Sequence, residues 1–93
     1  MNAVYDSAFV KKLKKVGVRI RKSFKERILI FSKNPYDLQL NNHALKDGYK
    51  GYRSIDIAGD WRAIYKETQI GKEVVAYFVE FGTHVQLYKK QNK

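Results

Sequence analysis

Cysteine is absent from this chain, so neither a disulfide nor a thiolate-bound metal can belong to it, and redox state sets no limit on its compartment. Histidine is almost as scarce. His43 and His84 are the only two, too few for a histidine-rich zinc site. No apolar run approaches the roughly 20 residues of a membrane-spanning helix; the longest is Val74-Val75-Ala76-Tyr77-Phe78-Val79. The opening Met1-Asn2-Ala3-Val4-Tyr5-Asp6 has neither the basic nor the apolar region of a secretory signal, so a soluble, cytoplasmic protein is expected. Also missing are a glycine-rich phosphate loop between strand and helix and a serine in a nucleophile elbow. No metal and no cofactor is expected.

What the chain has in excess is positive charge. Nineteen Lys and Arg face nine Asp and Glu, a formal net charge of +10. Such a surface favours a polyanionic partner, nucleic acid before membrane, because it steers phosphates and gains from counterion release. Ninety-three residues make one domain, 1–93, whose small core leans on 5 Phe, 7 Tyr and 1 Trp for bulk.

Hydrophobic period divides the chain in two. Ala3-Val4-Tyr5 reads as a short strand, and Asp6 or Ser7 can cap the helix that follows. Phe9, Leu13 and Val16 recur at helical spacing among Lys11, Lys12, Lys14 and Lys15, and Gly17 interrupts the pattern. A second helix is expected from Val18 to Ser32 on Ile20, Phe24, Ile28 and Phe31, ended by Asn34-Pro35. Its basic residues suit nucleic acid, or simply a solvated face. After a loop over Tyr36 to Asn42 the period falls to two. Strands are expected at Tyr49 to Ile57, Trp61 to Glu67 and Glu73 to Phe81, joined by turns at Ala58-Gly59-Asp60 and Ile70-Gly71-Lys72. The fold class is α+β: a short strand, a two-helix hairpin packed on an antiparallel meander, then a short C-terminal turn with Leu87 and Tyr88. The tail Lys89 to Lys93 is polar and expected to fray.

The groups left for chemistry are His43, His84, Asp56, Asp60, Arg53, Arg62, Lys46 and several tyrosines. They suit cleavage of RNA by its own 2′-hydroxyl. That reaction needs a base for the 2′ proton, an acid for the 5′ leaving oxygen, and cations for the charge that builds on phosphorus. Histidine can be acid or base near neutral pH, arginine grips phosphate through paired N–H donors, and aromatics stack on unpaired bases. Plainer readings stand beside this one. A histidine at a strand end is often a structural hydrogen-bonder, Asp60 after Gly59 is a turn former, and Trp61 and Tyr65 share a parity that suits a core. Arg62 has the parity of Ile64, so it requires a rim position or a bulge to escape the interior.

Four blocks in order carry a resemblance: His43-Ala44-Leu45-Lys46, Lys50-Gly51-Tyr52-Arg53-Ser54, Gly59-Asp60-Trp61-Arg62-Ala63-Ile64-Tyr65, and Phe81-Gly82-Thr83-His84-Val85-Gln86-Leu87-Tyr88. Over the whole chain the sequence resembles the RelE/ParE toxin superfamily, with YafQ-like mRNA interferases as the nearest branch. The resemblance implies a RelE-like fold and the toxin of a type II toxin-antitoxin system. Such a toxin is held by a cognate antitoxin and, when free, cuts mRNA in the ribosomal A site.

By position, the resemblance makes His84 the proton donor to the leaving group and gives His43 and Asp60 acid–base work or its orientation. Arg62 falls on the arginine of the RelE and YoeB branches that contacts the scissile phosphate. Tyr88 would orient or stack the substrate, Trp61 would stand beside the site, and Arg53 and Lys46 would hold RNA backbone. Two departures are visible. Asp56 stands on the substrate side where the YafQ pattern has another histidine, and Glu80 stands where it has an arginine; Glu80 would either repel phosphate or pair with Arg62. The same fold also serves ParE-like gyrase inhibitors, and a chain with a weakened site would only bind its antitoxin. The two histidines in matching blocks favour the nuclease.

Overall fold

The computed structural model describes residues 1–88, so the expected fraying of Lys89 to Lys93 lies outside the described residues. Strand β1 (Ala3–Tyr5) leads into helices α1 (Ser7–Lys15) and α2 (Val18–Lys33). A 3-10 turn over Leu38–Leu40 precedes the edge strand β2 (His43–Ala44), and a second over Asp47–Tyr49 precedes β3 (Arg53–Ala58). Then come β4 (Trp61–Ile70), β5 (Glu73–Thr83) and a five-residue helix α3 (His84–Tyr88). The five strands form one sheet in the order β1-β5-β4-β3-β2. β1 runs parallel to β5 and every other pairing is antiparallel. The α+β class and the meander of the sequence reading hold.

The differences are local. β3 starts at Arg53 rather than Tyr49, because Asp47 takes φ +55° and folds the preceding segment into a turn. That same turn brings His43–Ala44 back as an unforeseen edge strand, paired with Ser54 and Arg53. The C-terminal turn is a helix.

Two devices separate α1 from α2. Val16 and Gly17 are both extended, and Arg21 donates from Nη1 to the Val16 carbonyl at 2.7 Å and the Lys14 carbonyl at 3.2 Å. These are carbonyls that a helix end leaves without partners. At the other end of α1, Asp6 accepts from the Ala8 amide at 3.0 Å and from the Tyr77 hydroxyl at 2.6 Å. These bonds favour its ionised form, the Tyr77 bond most, and hold its carboxyl below the ordinary range. A group with a depressed folded pKa contributes stability above its unfolded pKa, about 3.9, and loses it as pH falls through the lower folded value. Acid melting of Asp6→Asn should therefore be flatter than that of the parent below about pH 4. Parallel curves would show that this cap carries no linkage.

The helices cover one face of the sheet. Phe9, Phe24 and Phe31 meet Ile55, Ile57, Ala63, Tyr65, Ala76, Phe78 and Phe81 there, all buried. Their rings pack edge-on or tilted, with Phe31–Tyr65 and Tyr65–Phe78 both at 5.1 Å between centroids. Phe78 and Phe81 lie three residues apart on β5, a spacing that strict alternation would send to opposite faces. A bulge resolves this. Ile64 is opposite Glu80 and Tyr65 opposite Phe78, which leaves Val79 as the extra residue.

The sheet also buries part of its other face. Ile64, Leu87 and Ser54 are fully buried but lie outside the helix-side core. α3 folds back over this second face. A methyl placed on Gly82 would sit 3.4 Å from Leu87 Cδ2. This second face answers the question of Arg62: it shares the parity of Ile64 because both sit under α3, not under α1 and α2.

Candidate active site

The end of β5 turns into α3 through a reciprocal capping box. Thr83 Oγ1 accepts from the Gln86 amide at 3.3 Å, and Gln86 Oε1 accepts from the Thr83 amide at 3.0 Å. Thr-x-x-Gln is a recognisable sequence signal for a helix start. It makes His84 the first residue of α3, and the His84 amide donates to the Asp60 carbonyl at 3.0 Å. The imidazole is thus carried out over the sheet end, exposed, with its ring 4.5 Å from that of Tyr88 one turn on. Tyr88 in turn packs edge-on against Tyr49 at 6.0 Å. Burial, with the negative charge of Glu80 second, raises the Tyr49 pKa.

His43 stands on β2 at the far side of the same surface. Its Nδ1 lies 2.8 Å from the backbone carbonyl of Asn41. A carbonyl can only accept, so Nδ1 is the donor, and in the uncharged tautomer that this bond selects the lone pair lies at Nε2. Asn41 reaches this position in the left-handed region at φ +48°, where asparagine is one of the few residues tolerated.

Arg62 lies between the histidines. It is opposite Asp56 on β3 and Gly82 on β5. Nε makes an ion pair with Asp56 Oδ1 at 3.0 Å, and Nη1 donates to the carbonyls of Gly59 at 2.7 Å and Trp61 at 3.1 Å. Asp56 is held from its other oxygen by Asn41 Nδ2 at 3.3 Å. Among the described residues Nη2 has no protein partner. The guanidinium is therefore fixed on one side and open on the other. This ion pair gives Asp56 a physical task; among the described residues Arg62 forms no pair with Glu80. Glu80 lies two positions along β5 from Gly82, with its Oε2 buried and, among the described residues, without a hydrogen-bond partner.

His43, Arg62, His84, Tyr88 and Lys46 all open onto one cavity of about 440 Å³, completed by Asn41, Ala44 and Leu45. Asp60 supports it through its backbone, while its exposed side chain is not part of the lining. Two expected site residues lie elsewhere. Arg53 is one residue out of phase with Ser54 and Asp56, so it projects to the opposite face. There its guanidinium carbon sits 5.3 Å from the Tyr36 ring centroid. Trp61 stacks on Phe81 at 5.4 Å and lines a separate apolar groove with Lys12, Lys15 and Val16. Asn41 is the residue the sequence reading missed. Its signal was an asparagine two positions before a histidine at a change of direction.

The arrangement supplies a free imidazole nitrogen, a second imidazole across the cavity, and two cations between and beside them. No helix among the described residues is long and apolar enough to cross a membrane. A family model described as the bacterial toxin of type II toxin-antitoxin systems, YafQ, matches residues 1–89. Among solved structures, YafQ from E. coli strain BL21(DE3) superposes with TM-score 0.74 at 26% identity, covering 94% of this chain and 97% of that one. The DinJ-YafQ complex of E. coli superposes at 0.61 with 26% identity over 94% and 97% of the two chains. The RelB-RelE antitoxin-toxin complex of Methanococcus jannaschii gives 0.67 at 25% identity, covering 94% and 96%. A search of curated protein sequences finds no match.

Proposed function

Because the chain belongs to the YafQ family of toxins from bacterial type II toxin-antitoxin systems, we propose that it is a ribosome-dependent endoribonuclease that cuts mRNA by acid–base catalysis. The observation that carries this reading is the shared cavity, in which His43 with a free Nε2 and His84 flank an arginine held in place by Asp56. Each role of the reaction has a side chain within that cavity, and none requires a metal ion.

In the mechanism, His43 Nε2 removes the proton of the 2′-hydroxyl, and the 2′-oxygen forms a bond to the adjacent phosphorus. Charge grows on the non-bridging oxygens, where Arg62 Nη2 and Lys46 stabilise it. The bond from phosphorus to the 5′-oxygen breaks as His84 delivers a proton to that oxygen. The products are a 2′,3′-cyclic phosphate and a 5′-hydroxyl. Tyr88, behind His84, offers its ring to a base beside the cut. Asp60 and Asp56 are positioning residues, the first for the start of α3 and the second for the guanidinium. Such a substrate puts the work of this protein in the cytoplasm.

The proposed partner is a cognate antitoxin, supported by relatives solved as antitoxin-toxin complexes. A chain of formal charge +10 would bind its acidic segments readily. The test is cleavage of a defined message on programmed ribosomes, with the ends of both fragments analysed. Cyclic phosphate and 5′-hydroxyl ends are expected; 5′-phosphate and 3′-hydroxyl ends would refute the mechanism.

A further inference from the structure

We infer that a second nucleotide site, built by Tyr36, Tyr52, Arg53 and Glu67, takes a base with an exocyclic amine from RNA flanking the cut. This rests on the reading of the chain as an RNA-cleaving protein. A cavity of about 290 Å³ lies among these four side chains and reaches Ala44 and Gly51. Ala44 also lines the catalytic cavity. The two cavities therefore meet at β2, the edge strand of the sheet, and a single strand leaving the first can pass over that edge into the second.

The side chains are held ready for a ligand. Arg53 Nε donates to Asn42 Oδ1 at 2.7 Å, and Asn42 Nδ2 donates to the Tyr65 hydroxyl at 2.7 Å and the Pro35 carbonyl at 2.8 Å. The guanidinium lies over the ring of Tyr36, whose hydroxyl donates to Glu67 Oε2 at 3.3 Å. Lys66 Nζ is 5.7 Å from the ring centroid of Tyr52. Among the described residues, the terminal nitrogens of Arg53 and Oε1 of Glu67 have no protein partner. Tyr36 remains 53% exposed despite these contacts, which leaves ring surface for a base.

Donors and an acceptor of opposite charge at one cavity fit a nucleotide better than they fit a bare phosphate, which Glu67 would repel. A base stacks on the tyrosine ring. Its amine donates to the Glu67 carboxylate, as cytosine N4 does to acidic side chains, while Arg53 takes a phosphate or ring acceptor. Adenine, cytosine and guanine can do this. Uracil instead places carbonyl oxygens on either side of its one N–H, and these oppose a carboxylate.

The experiment uses ribosomes programmed with messages randomised around one cleavage position, with cut ends sequenced for the parent, Tyr36→Ala and Glu67→Gln. Both replaced side chains are exposed, and melting curves confirm that each variant is folded. The parent should disfavour uracil at one flanking position by at least about five-fold, the lower bound of hydrogen-bond discrimination between bases. Glu67→Gln, whose amide can donate to a carbonyl, should level that bias, and Tyr36→Ala should remove it. Cleavage with no flanking bias in the parent, or with the same bias in all three proteins, overturns the second site and leaves the nuclease reading intact. Absence of cleavage by the folded parent overturns both.

Discussion

His84→Ala is expected to cut message on programmed ribosomes about 10²–10⁴-fold more slowly than the parent, the usual range for loss of a positioned acid or base. The reason is geometric as well as chemical. His84 occupies the first position of α3, fixed by the Thr83–Gln86 box and by the Asp60 carbonyl. No other imidazole stands on that side of the cavity. The residue is exposed, so its loss should leave thermal melting close to that of the parent. A substrate with sulfur in place of the 5′ bridging oxygen separates the role from mere packing. A thiolate leaves without a proton, so variant and parent should cleave it at similar rates. If the variant is equally slow on both substrates, His84 is not the acid.

Arg62→Ala should cost roughly 10²–10³ in turnover, the loss seen when one preorganised stabiliser of transition-state charge is removed. The loss should fall mainly on kcat, because the charge it meets develops only as phosphorus becomes pentacoordinate. Arg62→Lys should recover part of it, keeping the charge and losing the planar fork. Asp56→Ala provides the internal comparison. It leaves the guanidinium in place but removes the Nε anchor at 3.0 Å, so its defect should be smaller than that of Arg62→Ala and vanish in the Arg62→Ala background. Additive defects in the double variant would mean that Asp56 acts on the substrate directly. On the proposed mechanism Asp56, which stands where the YafQ pattern has another histidine, would serve behind the cation rather than before the phosphate.

Much of this fold could be read from spacing. The runs Phe9–Leu13–Val16 and Ile20–Phe24–Ile28–Phe31 fixed the helices, and Asn34-Pro35 fixed where the second one ends. Gly59 and Gly71, at φ +50° and +60°, marked the hairpin turns. What spacing could not convey was the second buried face. It depends on Leu87 returning over Gly82, a contact between a helix and the strand that leads into it, and on one extra residue in β5. With only one interior in view, Arg62 looked misplaced. Arg53 and Trp61 illustrate the opposite case. Trp61 shares the parity of Tyr65, which already suited a core, and Arg53 is out of phase with Ser54 and Asp56, so the alternation of β3 sends it to the face away from the cavity. The cavity between the two histidines draws on residues more than 40 positions apart in the sequence, which the four blocks brought together and periodicity alone would not.

One turn of helix carries His84. A segment as short as α3 cannot hold its shape by propensity alone; it persists through two reciprocal end bonds and the anchoring of Leu87. Local melting of that turn would leave the phenylalanine-rich interior untouched, so activity can be lost and regained without unfolding the molecule. On the proposed mechanism, lifting these five residues from the sheet would carry His84 out of the cavity while the core stays packed.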